Sequence, residues 1–218
     1  MTADKESVHT NHTVEEKLNS VTHSIGAGMS IAGMIFLFVL TGLNGGGTIK
    51  YVSFSIYGAF QILLYMSSAL THQFSDMPRA HKILRIVDQA AVYLLIAGTY
   101  TPVALLALKG RIGWTVFGVV WGVAVLGILS KVLIFRKKNV ISDLFYLPMG
   151  WIIIFAFKPL ISATPMGFVI WAMIGGGSYT VGIIFYLLRK MPFSHVIWHL
   201  FVLAGGISFY LGFAFYLV

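Results

Sequence analysis

The sequence predicts an all-α, polytopic membrane protein folded as a seven-transmembrane-helix bundle. Three observations predict it. Hydrophobic residues make up 58% of the 218 positions and charged residues only 10%, where a soluble domain carries about 25% charged. Apolar stretches of the roughly 20 residues that a helix needs to cross a ~30 Å hydrocarbon core recur along the chain. Proline and glycine are scattered through these long stretches, whereas a transmembrane barrel would be written in short alternating strands.

The expected runs are 22–43, 51–72, 86–108, 112–135, 141–158, 164–188 and 193–217. The first follows a polar segment of mixed charge, residues 1–20, expected to be a cytoplasmic N-terminal tail ahead of a transmembrane domain over 21–218. That segment lacks the apolar core and small-residue cleavage site of a secretory signal peptide, so the first run is expected to act as an uncleaved anchor. Asn44–Gly47 is a turn cluster that separates the first two runs. Pro78, with Asp76, Arg79 and Lys82, marks a polar loop before the third. Pro102 in the third run and Pro148 in the fifth should kink their helices. Gly118 and Gly122 in the fourth form a small-xxx-small pair suited to close helix packing. The fifth run is short, with Asp143 near its start and Lys158 at its end.

The net charge of +8 would suggest nucleic acid on a soluble protein. Here the basic residues sit between apolar runs, where they set orientation, and no nucleic-acid partner follows. Lys5, Lys17, Arg79, Lys82, Arg85, Lys131, Arg136, Lys137, Lys138, Arg189 and Lys190 fall on one side; only Lys50, Lys109, Arg111 and Lys158 fall on the other. The positive-inside rule puts the N-terminus in the cytoplasm and the C-terminus outside, in the cell membrane. There is no cysteine, which removes disulfides and thiolate metal sites.

With that topology, polar residues far apart in sequence share one depth. The second run ends at His72, the third begins near Asp88, the seventh opens with His195 and His199, and the first begins at Asn19 and His23. All lie towards the inner face. His195 and His199 are four apart, so both rings share one helical face, the spacing by which a helix offers two nitrogens to one metal. Ser68 and His72, and Asn19 and His23, repeat that spacing. Asp88 is the only acid well inside any run. Such a group usually faces the bundle interior with a partner.

Each piece has a plainer reading: an interfacial histidine bonded to headgroups, Ser68 bonded back to a helix carbonyl, Asp88 paired with Arg85 one turn earlier. Together they point to a metal site. Three imidazoles with one open position form a common catalytic zinc shell, and without cysteine zinc fits neutral imidazoles best, ahead of iron or copper. His9, His12 and His81 lie in polar segments and receive no role.

Taken in order, Glu16-x-x-Asn19-x-x-x-His23, Ser68-x-x-x-His72, Asp88-Gln-Ala-Ala and His195-x-x-x-His199 resemble the motifs of the haemolysin III and progestin/adiponectin-receptor family, over nearly the whole chain. The pattern is also similar to that of alkaline ceramidases. The resemblance implies a seven-helix bundle with a zinc ion in its cytoplasmic half. It implies His72, His195 and His199 as ligands, Asp88 as the residue that holds a zinc-bound water, and Ser68 behind it; Glu16, Asn19 and His23 would brace the site.

Asp88 and Ser68 are accordingly the expected catalytic residues. Ser68 is better suited to hydrogen-bonding Asp88 or a water than to acting as nucleophile. The expected activity is zinc-dependent hydrolysis of an amide or ester in a membrane lipid, ceramide-like amides among them, in membrane lipid homeostasis. The alternative is a non-enzymatic lipid sensor or receptor with a structural zinc. A pore-forming haemolysin fits less well, because an aqueous pore needs polar lining that these runs do not offer.

Overall fold

The computed structural model describes residues 2–134, 145–188 and 190–218. Arg136, Lys137, Lys138, Asp143 and Arg189 lie outside the described residues. Every regular element among the described residues is helical, and seven helical segments are long and apolar enough to cross a membrane. They run Thr13–Leu43, Thr48–Gln73, Pro78–Leu108, Gly110–Leu133, Tyr146–Ala163, Met166–Leu187 and Ser194–Tyr216.

The first span belongs to helix α1 (Thr2–Leu43). It is one continuous helix, so the boundary drawn at residue 21 falls inside it, and Glu16, Asn19 and His23 ride on its first turns within the span. Gly45, Gly46 and Gly47 then carry φ of 84°, 66° and 125°, values that residues with a Cβ rarely adopt. They reverse the chain into α2 (Thr48–Gln73).

Helix α3 (Pro78–Pro102) opens the most buried span, Pro78–Leu108: 78% of its apolar stretch is buried, against 17–56% for the other spans. At Pro102, which has no amide hydrogen to give, the ladder widens into a π-helical stretch, Val103–Leu108. After α4 (Gly110–Leu129) a second π turn, Ser130–Ile134, draws Lys131 inward. Its side chain is only 2% exposed and lies 5.7 Å from the Tyr146 ring centre.

Gly118 and Gly122 do not do what their spacing suggests. Both are exposed, and a Cβ at either would meet nothing within 4 Å. Close approaches occur at other glycines: a Cβ on Gly127 of α4 would run into the Tyr93 ring, and between α7 (Met166–Leu187) and α8 (Ser194–Tyr216) one on Gly175 would stand 2.6 Å from the Phe209 ring.

The fifth span is broken. It consists of α5 (Tyr146–Gly150), a 3-10 stretch, Ile152–Ala156, and α6 (Phe157–Ala163). Broken backbone at membrane depth must find partners within the protein. The Tyr100 hydroxyl supplies two of them, donating to the Gly150 carbonyl at 2.7 Å and accepting from the Ile153 amide at 2.9 Å. The Trp151 indole donates to the Thr180 hydroxyl at 3.1 Å. An irregular span tied this way bounds a cavity of about 470 Å³ inside the bundle.

A candidate metal centre

Alternating helix directions bring the end of α2 beside the start of the first span on α1 and the beginnings of α3 and α8. His72 sits in the last turn of α2. His195 and His199 occupy the first two turns of α8, which the chain joins through Phe193 in the left-handed region (φ 57°). Each of the three histidines offers a nitrogen, and these atoms lie within 4.8 Å of one another. Ring centres are 5.1 Å apart for His72–His195, 5.1 Å for His72–His199 and 4.7 Å for His195–His199. His199 is buried, whereas His72 and His195 are partly open.

The histidines stand at the polar end of the cavity. Ser68, Asp88, Glu16, Asn19 and His23 line the same space, with Arg85 and Gln89 nearby on α3. Further in, the walls are Leu95, Val103, Leu160, Val169, Met173 and Phe209, so the cavity grades from ionisable to apolar. Ser68 is 2% exposed, one turn before His72. Asp88 shares the wall, although its carboxylate falls outside the 4.8 Å histidine group. His81 also reaches this wall, but its Nδ1 is 3.1 Å from the Thr71 carbonyl and it stays outside that group.

A zinc ion would suit these residues. Zn–N bonds of about 2.0–2.1 Å put tetrahedral ligand nitrogens about 3.4 Å apart, close to the 4.8 Å within which these three lie. The donor set, three imidazoles without thiolate, is one that zinc accepts. His72 moreover already carries the outer partner that metal-bound histidines usually have: the Glu16 carboxylate lies 2.8 Å from its Nδ1.

The residues of α1 are more engaged than their spacing alone suggested. Besides Glu16, the Asn19 carbonyl lies 3.3 Å from His199 Nδ1, and the His23 ring stacks on His199 with centres 3.6 Å apart and planes within 10°. Thr22 was missed by sequence reasoning. Its hydroxyl, which donates to the Leu18 carbonyl at 2.8 Å, also lies 3.4 Å from His199 Nδ1. The signal existed: Thr22 follows Asn19 by three residues and so shares its face. Tyr186, whose ring centre is 5.9 Å from that of His195, was also not singled out; nothing in its spacing marks it.

A family model described as haemolysin-III related matches residues 11–210. The chain belongs to the haemolysin III family. Among its haemolysin III relatives, a protein of Bacillus cereus named Hemolysin-3 is 42% identical over 205 residues, covering 94% of this chain and 92% of that one. A Hemolysin-3 homolog of Bacillus subtilis (strain 168) is also 42% identical, covering 94% and 95%. Human monocyte to macrophage differentiation factor is 29% identical over 165 residues, 71% of this chain and 66% of that one. The match includes every residue of the histidine site, and with the seven apolar spans it makes this chain a multi-pass membrane protein.

Proposed function

We propose that this haemolysin III protein is a zinc-dependent hydrolase of amide or ester bonds in membrane lipids, ceramide-like in its substrates, and that it serves membrane lipid homeostasis. The observation that carries the reading is the graded cavity: three convergent imidazoles and a carboxylate at one end, an apolar chamber at the other. An amphiphile with a carbonyl between headgroup and acyl chain matches that gradient.

His72, His195 and His199 would hold the ion. A zinc ion held by three imidazoles keeps an open position, lowers the pKa of a water to near ~7 and polarises a carbonyl. The work of the chain itself is then orientation and proton transfer. The Asp88 carboxylate, on the same wall as the histidines, accepts a proton from the attacking water through an Oδ atom. It later returns that proton to the leaving amine or alcohol. Ser68 hydrogen-bonds Asp88 or the water and so fixes its approach. Leu95, Val103, Leu160 and Phe209 exclude bulk water from the acyl chain. The basic split described above supports an N-terminus in the cytoplasm, with the histidine end opening to the inner leaflet of the cell membrane.

The test is purified protein presented with a panel of lipid amides and esters, with released fatty acid read by mass spectrometry. Release that stops on chelation and returns with zinc is expected. A zinc-loaded protein that releases nothing across the panel would contradict the hydrolase and favour a lipid sensor with a structural metal.

A further inference from the structure

Four contacts from one helix converge on the ligand histidines, and the proposed activity does not require them. All come from the start of the first span on α1, where Glu16, Asn19, Thr22 and His23 follow one another at helical spacing. Glu16 Oε2 is 2.8 Å from His72 Nδ1. The Asn19 carbonyl oxygen is 3.3 Å, and Thr22 Oγ1 3.4 Å, from His199 Nδ1. The His23 ring covers one face of His199. His23 and Asn19 are 2% and 1% exposed.

We infer that α1 is the outer shell of the metal centre, with Glu16 the positioning residue for His72 and the Asn19 carbonyl that for His199, so that both histidines present Nε2 to the metal. The inference rests on the metal-site reading above and goes further by assigning the ligand atom and the residue that fixes it.

The chemistry is that of the imidazole ring. A neutral imidazole has one N–H and one bare nitrogen, and a hydrogen bond to one nitrogen decides which is left for a metal. A carboxylate and a carbonyl only accept. Each Nδ1 facing one must therefore carry the hydrogen, and Nε2 is left with the lone pair. The negative charge of Glu16 also makes the far nitrogen of His72 a better donor, and such partners typically change metal affinity 10–100-fold. The stacked His23 ring adds an orientation constraint. With its plane parallel to that of His199, it blocks the rotation about χ2 that would swing Nε2 away from the cluster. Helix α1 thus completes a site whose ligands all come from α2 and α8.

The experiment measures zinc affinity by competition with a chromophoric chelator on purified protein in detergent, with the melting temperature of the metal-free protein read on the same samples. Glu16→Ala should lower affinity 10–100-fold while leaving the metal-free melting temperature near that of wild type. Glu16→Gln, close in shape and still an acceptor, should recover part of the loss, and it carries the test if the alanine variant does not fold. Asn19→Ala keeps the backbone carbonyl and should lose far less affinity than Glu16→Ala. Independently, imidazole nitrogen NMR of the zinc-loaded protein should show metal shifts at Nε2 of His72 and His199. Wild-type affinity in both Glu16 variants, or coordination through Nδ1, would overturn the outer shell while the metal centre stood. Wild-type protein that bound no zinc would overturn the metal centre itself, and this inference with it.

Discussion

At His72 local spacing and long-range packing meet. Its relation to Ser68 is legible in the sequence, because one turn of helix separates them and helical period fixes their common face. Its 2.8 Å contact with Glu16, 56 residues away, is legible only as the bracing role that the family resemblance implies, not from spacing. Glu16 sits in a stretch that composition reads as a polar tail, and only the packing of α1 on α2 makes it a partner. The same holds for His199: its spacing from His195 announces a ligand pair, while the Asn19 carbonyl is a backbone atom that no motif displays. Asp88 tests the chemistry at this scale. Asp88→Asn keeps size and removes the charge and the proton acceptor. It should retain metal and fold but lose lipid hydrolysis by about 10²–10⁴-fold, the usual scale for a general base. Zinc content and turnover measured on one preparation check this; loss of the zinc instead would make Asp88 a direct ligand.

The elements show where apolar length is informative and where it is silent. Each expected run overlaps a span, because the membrane sets a minimum length of apolar helix. The same runs could not show that Pro102 widens the ladder into a π-helical stretch, or that the fifth span breaks into three pieces held by Tyr100. Those outcomes depend on which neighbour supplies hydrogen bonds. Gly118 and Gly122 carry the same lesson in reverse: their spacing permits close packing, but none of the described residues packs against them, whereas Gly127 meets Tyr93 and Gly175 meets Phe209. A prediction follows for the broken span. Tyr100→Phe removes one acceptor and one donor from the Ile153 amide and the Gly150 carbonyl. It should destabilise the protein by about 1–3 kcal/mol, the scale for leaving backbone polar groups unpaired away from water. Denaturation in detergent measures it, and an unchanged stability would mean that those backbone groups find other partners.

For the whole molecule, one arrangement accounts for both charge and site. Seven spans would put the termini on opposite sides, and the uneven basic residues would orient them with the N-terminus in the cytoplasm, as proposed. A reporter enzyme fused after Val218 should be active only outside the cell; activity in the cytoplasm would overturn the orientation, with the fifth span the first to re-examine. The proposed orientation would also open the histidine end to cytoplasmic zinc. A metal bound only by the folded bundle stabilises it by mass action, about 2.7 kcal/mol at one hundred times the dissociation constant, so stability and metal content should fall together when a ligand is lost. Elemental analysis of the purified protein is the most direct test of the metal centre. About one zinc per chain is expected in wild type, with most of it lost in each of His72→Ala, His195→Ala and His199→Ala, and none lost when His9, His12 and His81 are replaced together. Equal zinc in wild type and His195→Ala would contradict the account.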